Sequence, residues 1–251
     1  MLILLPPSES KQIRARGKAL DLDLLSFPSL TATRDAVLDA LGPVSAGPDA
    51  ATALGVSPNL TEELARNTRV RNAAALPVSQ LYTGVLYDAL DLASLDTAAL
   101  RRARRWIVVQ SATFGALRLT DKVPPYRLSM AVNLAGLGPL ATVWRGPLQV
   151  EMAAAAGRKL VVDCRSSTYA AAWTPAGSIA AKWVRIEVPG ATHGAKHTRG
   201  LVTRAICQLE AEPTTPVSLE QALRPWFATE LIAPSSSSKP WALRVTPAPL
   251  R

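Results

Sequence analysis

Five short apolar runs punctuate this chain: Leu2 to Leu5, Trp106 to Val109, Leu160 to Val162, Trp183 to Val188 and Trp241 to Val245. Each has strand length and β-branched or aromatic content, and helical patterns lie between them. Strands that alternate with helices argue for an α/β fold with a mixed or mostly parallel sheet and surrounding helices. Asp96 is placed to cap a helix over Thr97 to Arg105, and Ser57-Pro58 predicts one running through Arg71. A long helix is expected after Pro139 and another from about Lys196 to Glu210. The stretch 41–58, rich in Ala, Gly and Pro, reads as a loose surface loop, and 234–251, with Ser235 to Ser238 between prolines, as loop or tail. Neither marks a domain boundary and no repeat is present, so residues 1–251 read as one domain.

A chain of 251 residues, 48% apolar and 19% charged, can bury a substantial core and is not of disordered composition. Leu2 to Leu5 runs straight into Pro6-Pro7 without a basic leader, which suits a buried strand rather than a signal peptide. No run approaches the roughly eighteen apolar residues of a membrane span. These features predict a soluble, cytoplasmic protein with no membrane partner, a monomer by default. Cys164 and Cys207 lie in separate segments and are expected as free buried thiols of a reducing compartment. Arg165 beside Cys164 leaves open a thiol activated by a neighbouring cation.

Lysine and arginine outnumber acids 28 to 19, a net charge of +9 that favours nucleic acid, phosphorylated ligands or anionic surfaces. The excess sits in three runs: Lys11, Arg14, Arg16 and Lys18; then Arg101, Arg102, Arg104, Arg105, Arg118, Lys122 and Arg127; then Lys182, Arg185, Lys196, Arg199 and Arg204. Each run is equally readable as a solvated face.

Five blocks carry a resemblance: MLILLPPSESK at the start, LYTGVLYDAL over Leu81 to Leu90, SATFGALRLTDKVPPYRLSM over Ser111 to Met130, VVDCRSSTYAAAW over Val161 to Trp173, and HGAKHTRGLVTRAI over His193 to Ile206. Together, in this order, they make the chain similar to the YaaA peroxide-stress family. The resemblance implies a protein that helps cells survive hydrogen peroxide by limiting free intracellular iron. It also implies an unusual α/β fold with a basic cleft, a helix-hairpin-helix element and binding to double-stranded DNA. Where the family often carries further lysines near the last block, this chain has His193 and His197.

Two residue sets follow. Lys11, Arg118, Arg127, Lys196, Arg199 and Arg204 are candidate DNA-phosphate contacts, with Gly136 and Gly138 as the turn of a helix-hairpin-helix that presents amides to a phosphate. An ordinary turn before a Pro139-started helix explains those glycines as well. The second set, Tyr82, Arg118, Asp121, Tyr126, Ser166 and Tyr169, is a candidate enzyme pocket for a small anionic or nucleotide-like substrate. Against it, Arg118 and Arg127 can simply pair with Asp121 to hold a turn. No metal or cofactor is assigned: His193 and His197 are four apart, but no carboxylate lies near and Gly194 interrupts them. A Ser-His-Asp set from Ser166 or Ser167, a histidine and Asp163 lacks the G-x-S-x-G elbow, and no P-loop or Rossmann glycine pattern occurs.

Overall fold

The computed structural model describes residues 1–190 and 194–247. Seven strands form one sheet: β1 (Leu2–Leu5), β2 (Ile107–Ser111), β3 (Gly115–Arg118), β4 (Val161–Asp163), β5 (Trp183–Glu187), β6 (Phe227–Ile232) and β7 (Trp241–Pro247). Their order is β6-β7-β5-β4-β1-β2-β3. The five inner strands run parallel, and β3 and β6 are antiparallel edges. This is the mixed α/β sheet expected. The five apolar runs are its parallel strands, fully buried at β1, β2 and β4 because helices cover both faces. The two edges went unseen because each is a hairpin partner with weaker apolar patterning.

The principal helices are α1 (Thr31–Ala46), α2 (Thr61–Asn67), α3 (Val85–Leu90), α4 (Thr97–Trp106), α5 (Leu140–Ala156), α6 (Gly194–Gln208) and α7 (Pro216–Leu223). Asp96 caps α4 by accepting the Ala99 N–H at 2.7 Å. The loose loop expected over 41–58 is instead partly helical: α1 continues through Pro43 to Ala46 and Ala50–Ala53 adds another turn. Gly42 before Pro43 has no Cβ to meet the proline ring, so the helix survives it. Gly146-Pro147 repeats the device inside α5. Ser57 receives the Asn59 N–H, and the helix expected at Pro58 begins only at Thr61. Likewise, the segment expected as tail contributes β7, paired to β5 and β6 from Trp241 to Pro247.

The helix-hairpin-helix expected at Gly136 to Gly138 is a strand hairpin. Asn133–Leu134 pairs antiparallel with Gly138–Pro139, and both glycines take positive φ, 83° and 95°, to turn it. No helix precedes it between 124 and 132. The Leu140 amide at the start of α5 is taken by the Val132 carbonyl at 3.0 Å.

No helix among the described residues is long and apolar enough to cross a membrane.

Candidate functional site

The chain leaves β1 for β2 on one side and later returns to lay β4 on the other side of β1. In such a sheet the crevice beyond the carboxyl ends of those neighbouring strands is where ligands settle. Here the segments past β1, β2 and β4 are Pro6 to Lys11, Ala112 to Phe114 and Cys164 to Ser167, and Ser111 is the last residue of β2.

All four tyrosines of the chain converge there. The Tyr82 and Tyr126 hydroxyls are 2.8 Å apart, and Tyr126 also bonds the Ser111 Oγ at 2.7 Å. Tyr82 stacks against Tyr87 with ring centroids 5.3 Å apart, and the Tyr87 hydroxyl donates to the Pro6 carbonyl at 2.7 Å. Tyr169 stands close enough to influence the other three, with its hydroxyl against the Met130 backbone. Burial holds the first three phenols well above the ordinary value and pushes Tyr169 up to about 12, so all four are neutral donors at physiological pH.

Lys11 enters this aromatic group through the backbone. It bridges Tyr82, and the Gln12 N–H reaches the Leu81 carbonyl at 2.8 Å. The Nζ lies 4.2 Å from the Tyr126 ring centroid and 5.5 Å from that of Tyr82. It donates to the Ser8 carbonyl at 2.7 Å and the Glu9 carbonyl at 3.4 Å. Burial, and then the Arg127 guanidinium, push its ammonium down to about 7. The one nearby carboxylate, Glu9, is held by Arg127 at 2.9 Å. Gly84, at φ 90°, lets the chain between Tyr82 and Tyr87 press on this loop: a Cβ there would sit 3.3 Å from the Ser8 Oγ.

Arg199 approaches from the first turns of α6. It lies one turn before Thr203, whose hydroxyl meets the Cys164 Sγ at 3.8 Å, and its buried Nε has no acceptor. Beneath, the buried Asp163 carboxylate pairs with Arg165 at 2.7 Å and accepts the Trp183 Nε1–H at 3.1 Å, while Arg165 also bonds the Gln110 Oε1. Burial works to raise the Asp163 carboxyl, but Arg165 holds it below the usual range.

Of the pocket set, Tyr82, Tyr126 and Tyr169 meet, and Ser166 follows β4 at the same edge. Arg118 and Asp121 do not join them. Asp121 accepts the Arg118 backbone N–H at 2.8 Å and both the N–H and Oγ of Ser26, so it ties down a turn. The Arg118 guanidinium reaches the Arg105 carbonyl at 2.9 Å and covers the Phe27 ring. The pairing considered for Arg127 and Asp121 is absent, Glu9 being the partner. Sequence reasoning missed Tyr87, Ser111 and Glu9; only Tyr87 had a signal, five residues after Tyr82 in the same block.

Of the phosphate set, Lys11 and Arg127 line this edge, Arg199 stands beside it, and Lys196 is exposed on the same helix. Arg204 instead ties α6 to the end of α3 through the Leu90 and Asp91 carbonyls at 3.1 and 2.8 Å. Cys164 and Cys207 are free and buried, and burial pushes both thiols up to about 12, a direction opposite to that of an activated thiol at Cys164. His197 is exposed, and His193 lies outside the described residues. Among the described residues no three His, Cys, Asp or Glu side chains gather as a metal would need.

The three basic runs fare differently. In the second, Arg102 bonds the Cys207 carbonyl, Arg105 pairs with Glu212 and Arg118 is spent as above. In the third, Lys182 and Arg204 hold backbone carbonyls. In the first, residues 12–19 are all exposed, and Arg14, Lys18 and Lys122 line a groove of about 400 Å³. That groove has no acidic lining residue, and these three side chains make no ion pair among the described residues.

A family model described as peroxide stress protein YaaA matches residues 1–225. The chain belongs to this family. A UPF0246 protein of Streptomyces coelicolor is 46% identical over 254 residues, 98% of each chain. Others from Corynebacterium efficiens and Cereibacter sphaeroides are 38% identical over 221 residues and 33% over 181, covering 86% and 67% of this chain and 88% and 68% of theirs. The span matched to the family runs from β1 through α7 and includes every residue of the tyrosine site. It stops just before the β6–β7 hairpin.

Proposed function

We propose that the protein serves the peroxide stress response by binding duplex DNA through its phosphates, without strong sequence preference, and by limiting free intracellular iron. Family membership supports the peroxide role. The DNA reading is carried by the exposed, acid-free run Arg14 to Lys18, which lines an open groove together with Lys122, where the cations make no ion pair among the described residues. Lysines and arginines that meet phosphates release counterions, so binding is salt-sensitive and indifferent to base order. Fluorescence anisotropy with unrelated duplexes of about two helical turns tests this: similar affinities that fall steeply with salt are expected, and no binding at low salt refutes it. The iron part is tested by electron paramagnetic resonance of chelated iron in peroxide-treated cells; equal iron with and without the protein refutes it.

A second reading, an enzyme acting on a small anionic or nucleotide-like substrate, is favoured by one observation. Four tyrosines and a half-buried lysine converge where parallel sheets hold ligands, which is more polar convergence than a packing core requires.

A further inference from the structure

We propose that Lys11 is an amine nucleophile that condenses with the aldehyde or ketone carbonyl of a small carboxylated ligand, forming an imine in the four-tyrosine site. The inference rests on the second reading above and is independent of DNA binding.

The argument begins with valence. An ammonium has three N–H bonds to place, whereas the neutral amine has two and a lone pair. The Lys11 Nζ has two protein acceptors, the Ser8 and Glu9 carbonyls at 2.7 and 3.4 Å, and no carboxylate, since Arg127 occupies Glu9. Two acceptors match the neutral amine and leave its lone pair unengaged. Burial first, and then the nearby Arg127 guanidinium, disfavour the extra proton and push the ammonium down to about 7. A lysine at an ordinary value of about 10.4 is almost wholly protonated at neutral pH and is not a nucleophile.

The second part is a proton route. The Tyr126 hydroxyl stands between Tyr82 at 2.8 Å and Ser111 at 2.7 Å, a chain of hydroxyls that can give and retrieve one proton. The Nζ lone pair attacks the carbonyl carbon, and the C=O π pair moves to oxygen, which takes the Tyr126 proton. The proton on the newly cationic nitrogen returns to Tyr126, giving a neutral carbinolamine. The nitrogen lone pair then expels the hydroxyl, which leaves as water with one proton from solvent, and a protonated C=N bond remains. Amine, carbonyl and one proton thus become an iminium and water, with no oxidant or reductant. The third part is the anion: Arg127 gives one N–H to Glu9 on the same loop and keeps further guanidinium N–H groups for a carboxylate on the ligand.

The test uses the full chain with glyoxylate and cyanoborohydride at pH 7, followed by peptide mapping of carboxymethyl-lysine. The seven lysines compete in one tube. Lys11 is expected to be labelled at least tenfold faster than any of the other six, and Tyr126→Phe to slow Lys11 alone. Calorimetric titration with glycolate, which has the carboxylate and no carbonyl, reports the pocket separately. Lys11 labelled no faster than the other lysines, with glycolate bound, overturns the nucleophile and leaves the pocket reading standing. The same slow labelling with no glycolate binding overturns both.

Discussion

Gly200 in α6 is pressed against α3 more tightly than any side chain allows. A Cβ on it would lie 2.2 Å from the Leu86 carbonyl oxygen and 2.8 Å from the Ala89 Cβ. Carbon and carbonyl oxygen ordinarily approach no closer than about 3.3 Å, so Gly200→Ala must push the helices about 1 Å apart. The obstacle is backbone, which cannot swing aside, so the strain belongs near the upper end of overpacking costs, about 3 kcal/mol. Alanine returns about 1 kcal/mol of helix propensity relative to glycine. About 2 kcal/mol of net destabilisation remains, and for a chain of this size each kcal/mol moves the melting temperature by about 2–4 °C. Gly200→Ala is therefore expected to melt about 4–8 °C lower by circular dichroism. A melting temperature equal to or above the parent's would show that propensity outweighs contact, and the close packing of α3 on α6 would be refuted. Because α3 also carries Tyr87, the same displacement should loosen the Pro6 loop and raise hydrogen exchange there.

Three further outcomes follow from the site. Lys11 has a folded value depressed to about 7, so between 7 and its unfolded value near 10.4 the unfolded chain binds the extra proton and stability rises with pH. Lys11→Met should therefore be more stable than the parent at pH 7, with the difference in urea midpoint closing by pH 10; a constant difference would contradict the buried-amine account. Arg165→Ala strands the buried Asp163 carboxylate and should cost about 3–5 kcal/mol in urea unfolding at pH 7; without Arg165, burial alone raises that carboxyl, so the loss should begin to shrink as pH falls while still above the ordinary value of about 4, and a loss under 1 kcal/mol would mean that the pair is not buried as described. Both thiols should resist iodoacetamide at pH 8 until urea unfolds the chain, because burial holds them neutral; rapid native-state alkylation of Cys164 would restore the reactive-thiol alternative.

The parallel strands were legible because a strand covered on both faces must be apolar throughout, and Leu2 to Leu5 or Ile107 to Val109 has no other use. The edges β3 and β6 were not, since a strand with one partner carries mixed residues such as Arg118 and Glu230. Pro43 and Gly42 read as loop because each disfavours a helix alone; that the pair tolerates one depends on the absent Cβ, a three-dimensional fact. The glycines at 136 and 138 announced a sharp turn correctly, but which elements flank it depends on pairing between Asn133 and Pro139. At the site, Tyr82, Tyr126 and Tyr169 were visible as polar positions inside the family-like blocks, and the structure joins them with Lys11. Asp121 and Arg118 looked equally functional in sequence, yet they are taken up by local structure: Asp121 by Ser26 and the Arg118 amide, Arg118 by the Arg105 carbonyl and the Phe27 ring. Ser111 gave no signal because a serine ending a strand is commonplace; its meaning comes from the phenol 2.7 Å away.

The groove between Arg14, Lys18 and Lys122 carries the DNA proposal, and its charge can be removed without touching the core. Each phosphate neutralised contributes about 0.9 to the slope of log affinity against log salt. Replacing all three residues with alanine should weaken binding to every duplex alike and flatten that slope by about 2 to 3 relative to the parent. An unchanged slope and affinity in a variant with the parent's melting temperature would contradict the proposal directly.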